Sequence, residues 1–121
     1  MDVVSDFRWK HRLIIVFSQG SDTLAIERLL ASEKELIVER DILWFVVTKN
    51  SVSSNYLECV NETLASSLRD QFQSEQFNDI DVVLVGKDGK IKHRSDSLST
   101  IDLYFRIDQM PMRQSEMKSK G

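Results

Sequence analysis

The chain offers few groups that could do chemistry, and their types restrict what that chemistry could be. There is one cysteine, Cys59, between Glu58 and Val60. A lone cysteine excludes an internal disulfide and any dithiol motif. A neighbouring carboxylate also raises a thiol pKa rather than lowering it. The only histidines are His11 and His93, and no His-x-x-x-His or Glu-x-x-His pair accompanies them, so no zinc or other metal set is expected. Neither a Gly-x-Ser-x-Gly nucleophile motif nor a phosphate loop occurs. The Gly86-Lys87-Asp88-Gly89-Lys90 stretch reads as a turn. Three polar sets remain. Ser18, Gln19, Gly20 and Ser21 follow an apolar run. Lys90, Lys92 and Arg94 alternate along a short segment and should share one face. Arg113 and Glu116 lie near the C-terminus. Two roles are open to Arg113: locking the tail through helix carbonyls or a carboxylate such as Asp41 or Asp108, or holding a ligand. No cofactor is expected.

The elements that would position these groups follow from hydrophobic patterning. Leu13-Ile14-Ile15-Val16-Phe17 is a continuous apolar run rich in β-branched residues, the signature of a strand covered on both faces. Ile42–Val47 reads the same way, and Ile80-Asp81-Val82-Val83-Leu84-Val85 reads as a third strand. The helical spacing of Ile26, Leu29, Leu30, Glu33 and Ile37 predicts one helix from about Asp22 to Val38, which makes a βαβ unit with a right-handed crossover. Thr48–Asn55 is polar and serine-rich and reads as a loop. Leu57, Val60, Leu64, Leu68 and Phe72 recur at three or four and predict a helix over at least Glu62–Phe72. Asp88-Gly89 signals a hairpin that returns through Lys90–Arg94 as an edge strand, where lysines discourage aggregation. Ser99-x-x-Asp102 has the spacing of a capping box. It opens a last helix with Ile101, Leu103, Tyr104, Phe105 and Ile107 as its apolar content, ended by Pro111. Met117–Gly121 reads as a frayed tail.

The element order is therefore β-α-β-α-β-β-α within one 121-residue domain. It predicts an α/β fold of thioredoxin-like architecture: a four-stranded mixed sheet with helices on both faces and the hairpin beside the first strand. Open α/β sheets bind ligands past the C-terminal ends of their strands, which makes Ser18–Ser21 a candidate ligand or partner surface. Net charge is −3, without the basic footprint of nucleic-acid binding. No apolar run approaches the ~20 residues of a membrane span. As written, the chain reads as soluble and cytoplasmic, or as periplasmic or secreted if an export signal has been removed.

Four segments point to a family. Trp9-Lys10-His11-Arg12-Leu13, Glu39-Arg40-Asp41, Val85–Lys92 and Ile107-Asp108-Gln109-Met110-Pro111-Met112-Arg113-Gln114 occur in this order. Together they resemble a thioredoxin-like domain family of unknown function. Its members are stand-alone bacterial proteins, and the same domain lies at the C-terminus of animal secreted sushi-repeat-containing and coiled-coil-domain-containing proteins. The resemblance runs from about Phe7 to Glu116, with Met-Pro-Met-Arg-Gln its most specific piece. It implies a peroxiredoxin-like fold and no secure activity. Redox members of this fold need a thiolate at the start of the first helix, where free N–H groups stabilise it. Here that place holds Ser18-Gln19-Gly20-Ser21. The proline that thioredoxins place before the third strand is also missing, since Asn78-Asp79-Ile80-Asp81 stands there. The expected function is a non-catalytic interaction or structural module with an unknown protein partner. The alternative is a peroxiredoxin-like thiol oxidoreductase acting through Cys59.

Overall fold

The computed structural model describes residues 11–18, 23–48, 52–55, 62–72, 80–96 and 98–120. Along them run β1 (Arg12–Ser18), α1 (Thr23–Ser32), α2 (Lys34–Glu39), β2 (Ile42–Val47), β3 (Val52–Ser54), α3 (Glu62–Phe72), β4 (Ile80–Val85), β5 (Ile91–Ser95), α4 (Thr100–Asp108) and α5 (Pro111–Lys120). The strands form one mixed sheet of five, in the order β3-β2-β1-β4-β5. β1 is central. It pairs parallel with β2 from Arg12↔Ile42 to Phe17↔Val47. On its other side it pairs antiparallel with β4, from Leu13↔Val85 to Ser18↔Ile80.

Every residue of β1 is buried, because the sheet is covered on both faces. Side chains alternate across a strand. Leu13, Ile15 and Phe17 join Phe45, Val83 and Val85 under Leu68 and Phe72 of α3. Ile14 and Val16 join Trp44, Val46 and Leu84 on the opposite face, under Ile26, Leu30 and Ile37 of α1 and α2 and Leu103, Tyr104 and Ile107 of α4. Among the described residues no helix is long and apolar enough to cross a membrane.

The structure departs from the sequence reading at four places. First, the sheet has five strands rather than four. Val52–Ser54, inside the expected loop, pairs antiparallel with Phe45–Val47. Beyond the end of this short strand, the Asn55 side chain takes over as partner of β2. Its Oδ1 accepts from the Trp44 N–H at 2.8 Å, and its Nδ2 donates to the Ile42 carbonyl at 3.2 Å. Second, the single helix expected over Asp22–Val38 is broken at Glu33, with Asp22 itself outside the described residues. The Ser32 hydroxyl donates back to the Leu29 carbonyl at 2.7 Å, a local bond that competes with helix geometry. The Glu33 carboxylate is meanwhile held by the Thr100 hydroxyl at 2.9 Å. Third, Pro111 stops α4 but opens α5, because proline lacks the N–H that a helix's first turn leaves unbonded anyway. The expected frayed tail is therefore helical through Lys120. Fourth, Lys92 is an extra residue in β5, between His93↔Leu84 and Ile91↔Val85. This bulge turns Lys92 to the α4 side of the sheet, and its Nζ bonds Asp88 of the β4–β5 turn. Arg94 stays on the α3 face, donating to Asp81 and to the Phe72 carbonyl. The expected shared face of Lys90, Lys92 and Arg94 does not form.

Asn55 satisfies two main-chain groups of β2 that lie beyond its pairing with β3. Asn55→Ala should lower stability by about 1–3 kcal/mol in urea denaturation. Asn55→Asp, which still accepts from Trp44 but cannot donate to Ile42, should fall between wild type and the alanine variant.

Candidate functional site

Arg12 opens the central strand, and its side chain is 1% exposed. A cation at that depth must be paired and hydrogen-bonded, or burial would cost several kcal/mol. Three other parts of the chain meet it at the same end of the sheet. The turn from α2 into β2 brings Glu39, Arg40 and Asp41. Its geometry is set by helix-ending bonds from the Arg40 N–H to the Ile37 carbonyl and from the Asp41 N–H to the Val38 carbonyl. Asp41 takes a left-handed φ of 53°, a conformation aspartate tolerates better than most residues. Its carbonyl accepts from the Arg12 N–H at 2.9 Å, tying the starts of β1 and β2 together. The β4–β5 turn brings Lys87, with Gly89 at φ 82°. The α4–α5 turn brings Asp108, Arg113 and Glu116.

The side chains form one connected network. Arg12 donates both terminal nitrogens to the Glu116 carboxylate, each at 3.2 Å, and Nη1 also reaches the Arg40 carbonyl at 2.9 Å. Lys87 Nζ lies 2.7 Å from Glu116 Oε2 and 3.0 Å from Asp41 Oδ2. Arg113, also 1% exposed, donates Nε to Asp108 Oδ1 at 3.2 Å. Its other nitrogens reach the Glu39 carbonyl and carboxylate. Arg40 grips Asp108 with two bonds, at 3.1 and 3.0 Å, while its guanidinium sits 4.8 Å above the Tyr104 ring. Four cations (Arg12, Arg40, Lys87, Arg113) thus meet four carboxylates (Glu39, Asp41, Asp108, Glu116).

The electrostatics run against acid–base work. Burial alone would raise the Glu116 carboxyl, but hydrogen bonds from Arg12 and Lys87 and their charges outweigh it and hold the group below its ordinary range. Burial is likewise outweighed at Asp108, by Arg40 and Arg113. A general acid or base works best with a pKa near the operating pH, and both carboxyls are displaced away from neutrality. Burial and the nearby Glu33 carboxylate push the Tyr104 phenol up, so it stays protonated.

The residues singled out from the sequence do not come together. Ser18 ends β1 roughly 20 Å from Arg12 along the strand. It is 4% exposed, and its hydroxyl lies 3.1 Å from that of Thr23. Gln19, Gly20, Ser21 and Cys59 lie outside the described residues. Arg113 lies inside the network, paired with Asp108, one of the two carboxylates anticipated; Asp41 instead binds Lys87. His11 adjoins Arg12, whereas His93 is on β5 with Nε2 3.8 Å from Asp102. No group of three or more potential metal ligands occurs among the described residues. Sequence reasoning missed Arg12, Arg40 and Lys87 as members of one site. The available signal was that each family-like segment carries a charge into it.

A family profile described as a domain of unknown function, DUF4174, matches residues 3–116. The chain belongs to that family. All eight network residues, from Arg12 to Glu116, fall inside the DUF4174 match. None of the curated proteins matches the sequence.

The depressed Glu116 carboxyl makes stability pH-dependent in a definite sense. Its contribution is complete above the ordinary value of 4.5 and is lost as pH falls through the lower folded value. Thermal melts at decreasing pH should show wild type losing stability steeply below pH 4.5. Glu116→Gln should be less stable at neutral pH and show a shallower acid limb. Equal acid limbs in the two proteins would remove Glu116 from this role.

Proposed function

We propose that this DUF4174 domain is a non-catalytic interaction or structural module built on a thioredoxin-like scaffold. One observation carries the reading. Seven charged residues of the four family-like segments (Arg12, Glu39, Arg40, Asp41, Lys87, Asp108 and Arg113) meet Glu116 in a charge-balanced network around two buried arginines, Arg12 and Arg113. Such a network fixes the end of the sheet and the position of α5, and leaves the surface available for contact. The strand order β2-β1-β4-β5, with an antiparallel hairpin beside β1, supports the thioredoxin-like assignment; β3 is an addition at the edge. The sequence supports the non-catalytic assignment. Ser18, Gln19, Gly20 and Ser21 stand where redox members of that fold hold a thiolate, and a hydroxyl cannot cycle through a disulfide.

The competing reading is thiol chemistry through Cys59. Peroxide consumption, measured with and without a thiol reductant, should be no faster with the protein than with the reductant alone. Turnover that is present in wild type and lost in Cys59→Ser would replace the non-catalytic reading with an enzymatic one.

A further inference from the structure

Among the described residues, α4 buries one face and leaves two large apolar side chains on the other. Leu103, Tyr104 and Ile107 point into the core. Ile101 is 80% exposed and Phe105 65%. These two are one helical turn apart, so they stack on the same outward face. Asp102 and Arg106, each about half exposed, run beside them in the same register. Between this face and β5 lies a cavity of about 540 Å³ lined by Lys92, Asp102, Phe105, Arg106, Gln109 and Met110. Of the five apolar residues that the sequence gives this helix, Ile101 and Phe105 are thus on its surface, next to an open groove.

We propose that this face of α4 is a self-association surface, and that its occupant is the same face of a second copy of this chain. The charge order carries the choice. Asp102 precedes Arg106 by one turn, so two copies of the helix laid antiparallel about a two-fold axis bring each Asp102 to the Arg106 of the other. The apolar pair follows closely: in that register Ile101 of each copy falls about 3 Å along the axis from Phe105 of the other, next to the groove. A patch that is its own complement is what an isologous two-fold interface requires. Asp102 and Arg106 already pair within one chain at 3.0 Å. An exposed pair of this kind contributes little, so sharing it across two copies costs little. Edge-to-edge strand pairing is the alternative way for two copies to meet here. It is disfavoured by the bulge at Lys92 and by the charged side chains of β5. The proposal goes beyond the functional reading above and holds whether or not the chain has catalytic activity.

Sedimentation equilibrium of the full chain, from micromolar to millimolar concentration, tests it. Wild type is expected to form a reversible dimer. Phe105→Glu should weaken that dimer by roughly tenfold or more, because it places a charge at the centre of the contact. Asp102→Arg and Arg106→Asp, each alone, should be monomeric where wild type is dimeric. An equimolar mixture of these two should form a heterodimer, since each supplies the charges the other lacks, while the pair within each chain stays broken. All the altered side chains are solvent-exposed, and an unfolded variant could not rescue its partner in the mixture. A wild type that is monomeric throughout overturns the proposal, and would assign the face to a different partner or to none. So would a dimer indifferent to Phe105→Glu, or a mixture that remains as monomeric as its components.

Discussion

The Glu116 carboxylate bridges two cations that the fold cannot leave alone, and Asp41 supplies the second negative charge. Arg12 begins the central strand beside Ile42 of β2, and its side chain is almost wholly removed from water. Lys87 sits on the turn that ends β4. Neither can be desolvated without a counter-charge, and the group that reaches both comes from a helix 104 residues further along the chain than Arg12. The position of α5 follows from that requirement. Its sequence is polar and gives it little apolar surface to bury, so a general hydrophobic preference does not explain where it docks. Arg113 and Glu116, one turn apart on α5, attach it instead.

This division of labour matches what the two kinds of interaction do best. Burial of Leu13, Ile15, Phe17, Val83 and their neighbours on one face, and of Ile14, Val16, Trp44 and Leu84 on the other, supplies the bulk of the driving force. It does not choose among similar ways of closing the end of the sheet. Ion pairs with desolvated partners are poor sources of net stability but severe judges of geometry, because a misplaced partner leaves a buried charge uncompensated. The network is therefore read as a constraint on arrangement: the β1 start, the α2–β2 turn, the β4–β5 turn and the α4–α5 turn must all arrive together.

How much of this the sequence revealed depended on the range of the interaction. β2, β4 and the Glu62–Phe72 helix α3 were readable, because continuous apolar runs and helical periodicity are local signals. The Ser99 cap was readable for the same reason, and its hydroxyl does accept from the Asp102 N–H. β3 was not readable: Val52-Ser53-Ser54 has neither length nor alternation, and its pairing comes from the exposed edge of β2. The break at Glu33 was hidden because apolar spacing continues across it to Ile37. α5 was hidden because Pro111 signals a stop and the following residues lack an apolar stripe. Within the site, Arg113 with Asp108 could be anticipated because the two are five residues apart. Arg12 with Glu116 could not, since nothing local distinguishes an arginine that ends an apolar run from one that enters the core. Apolar content alone also did not say which of Ile101, Leu103, Tyr104, Phe105 and Ile107 would face inward; Ile101 and Phe105 stay outside.

The central claim is that Arg12 and Glu116 act as one unit closing the sheet. A double-mutant cycle measures this directly, with Arg12→Met, Glu116→Met and the double variant compared by chemical denaturation at neutral pH. The account requires a coupling energy of about 1–3 kcal/mol, the double variant being far less destabilised than the two single losses summed. Losses that simply add, to within ~0.5 kcal/mol, would mean the two groups do not depend on each other, and the account would fail.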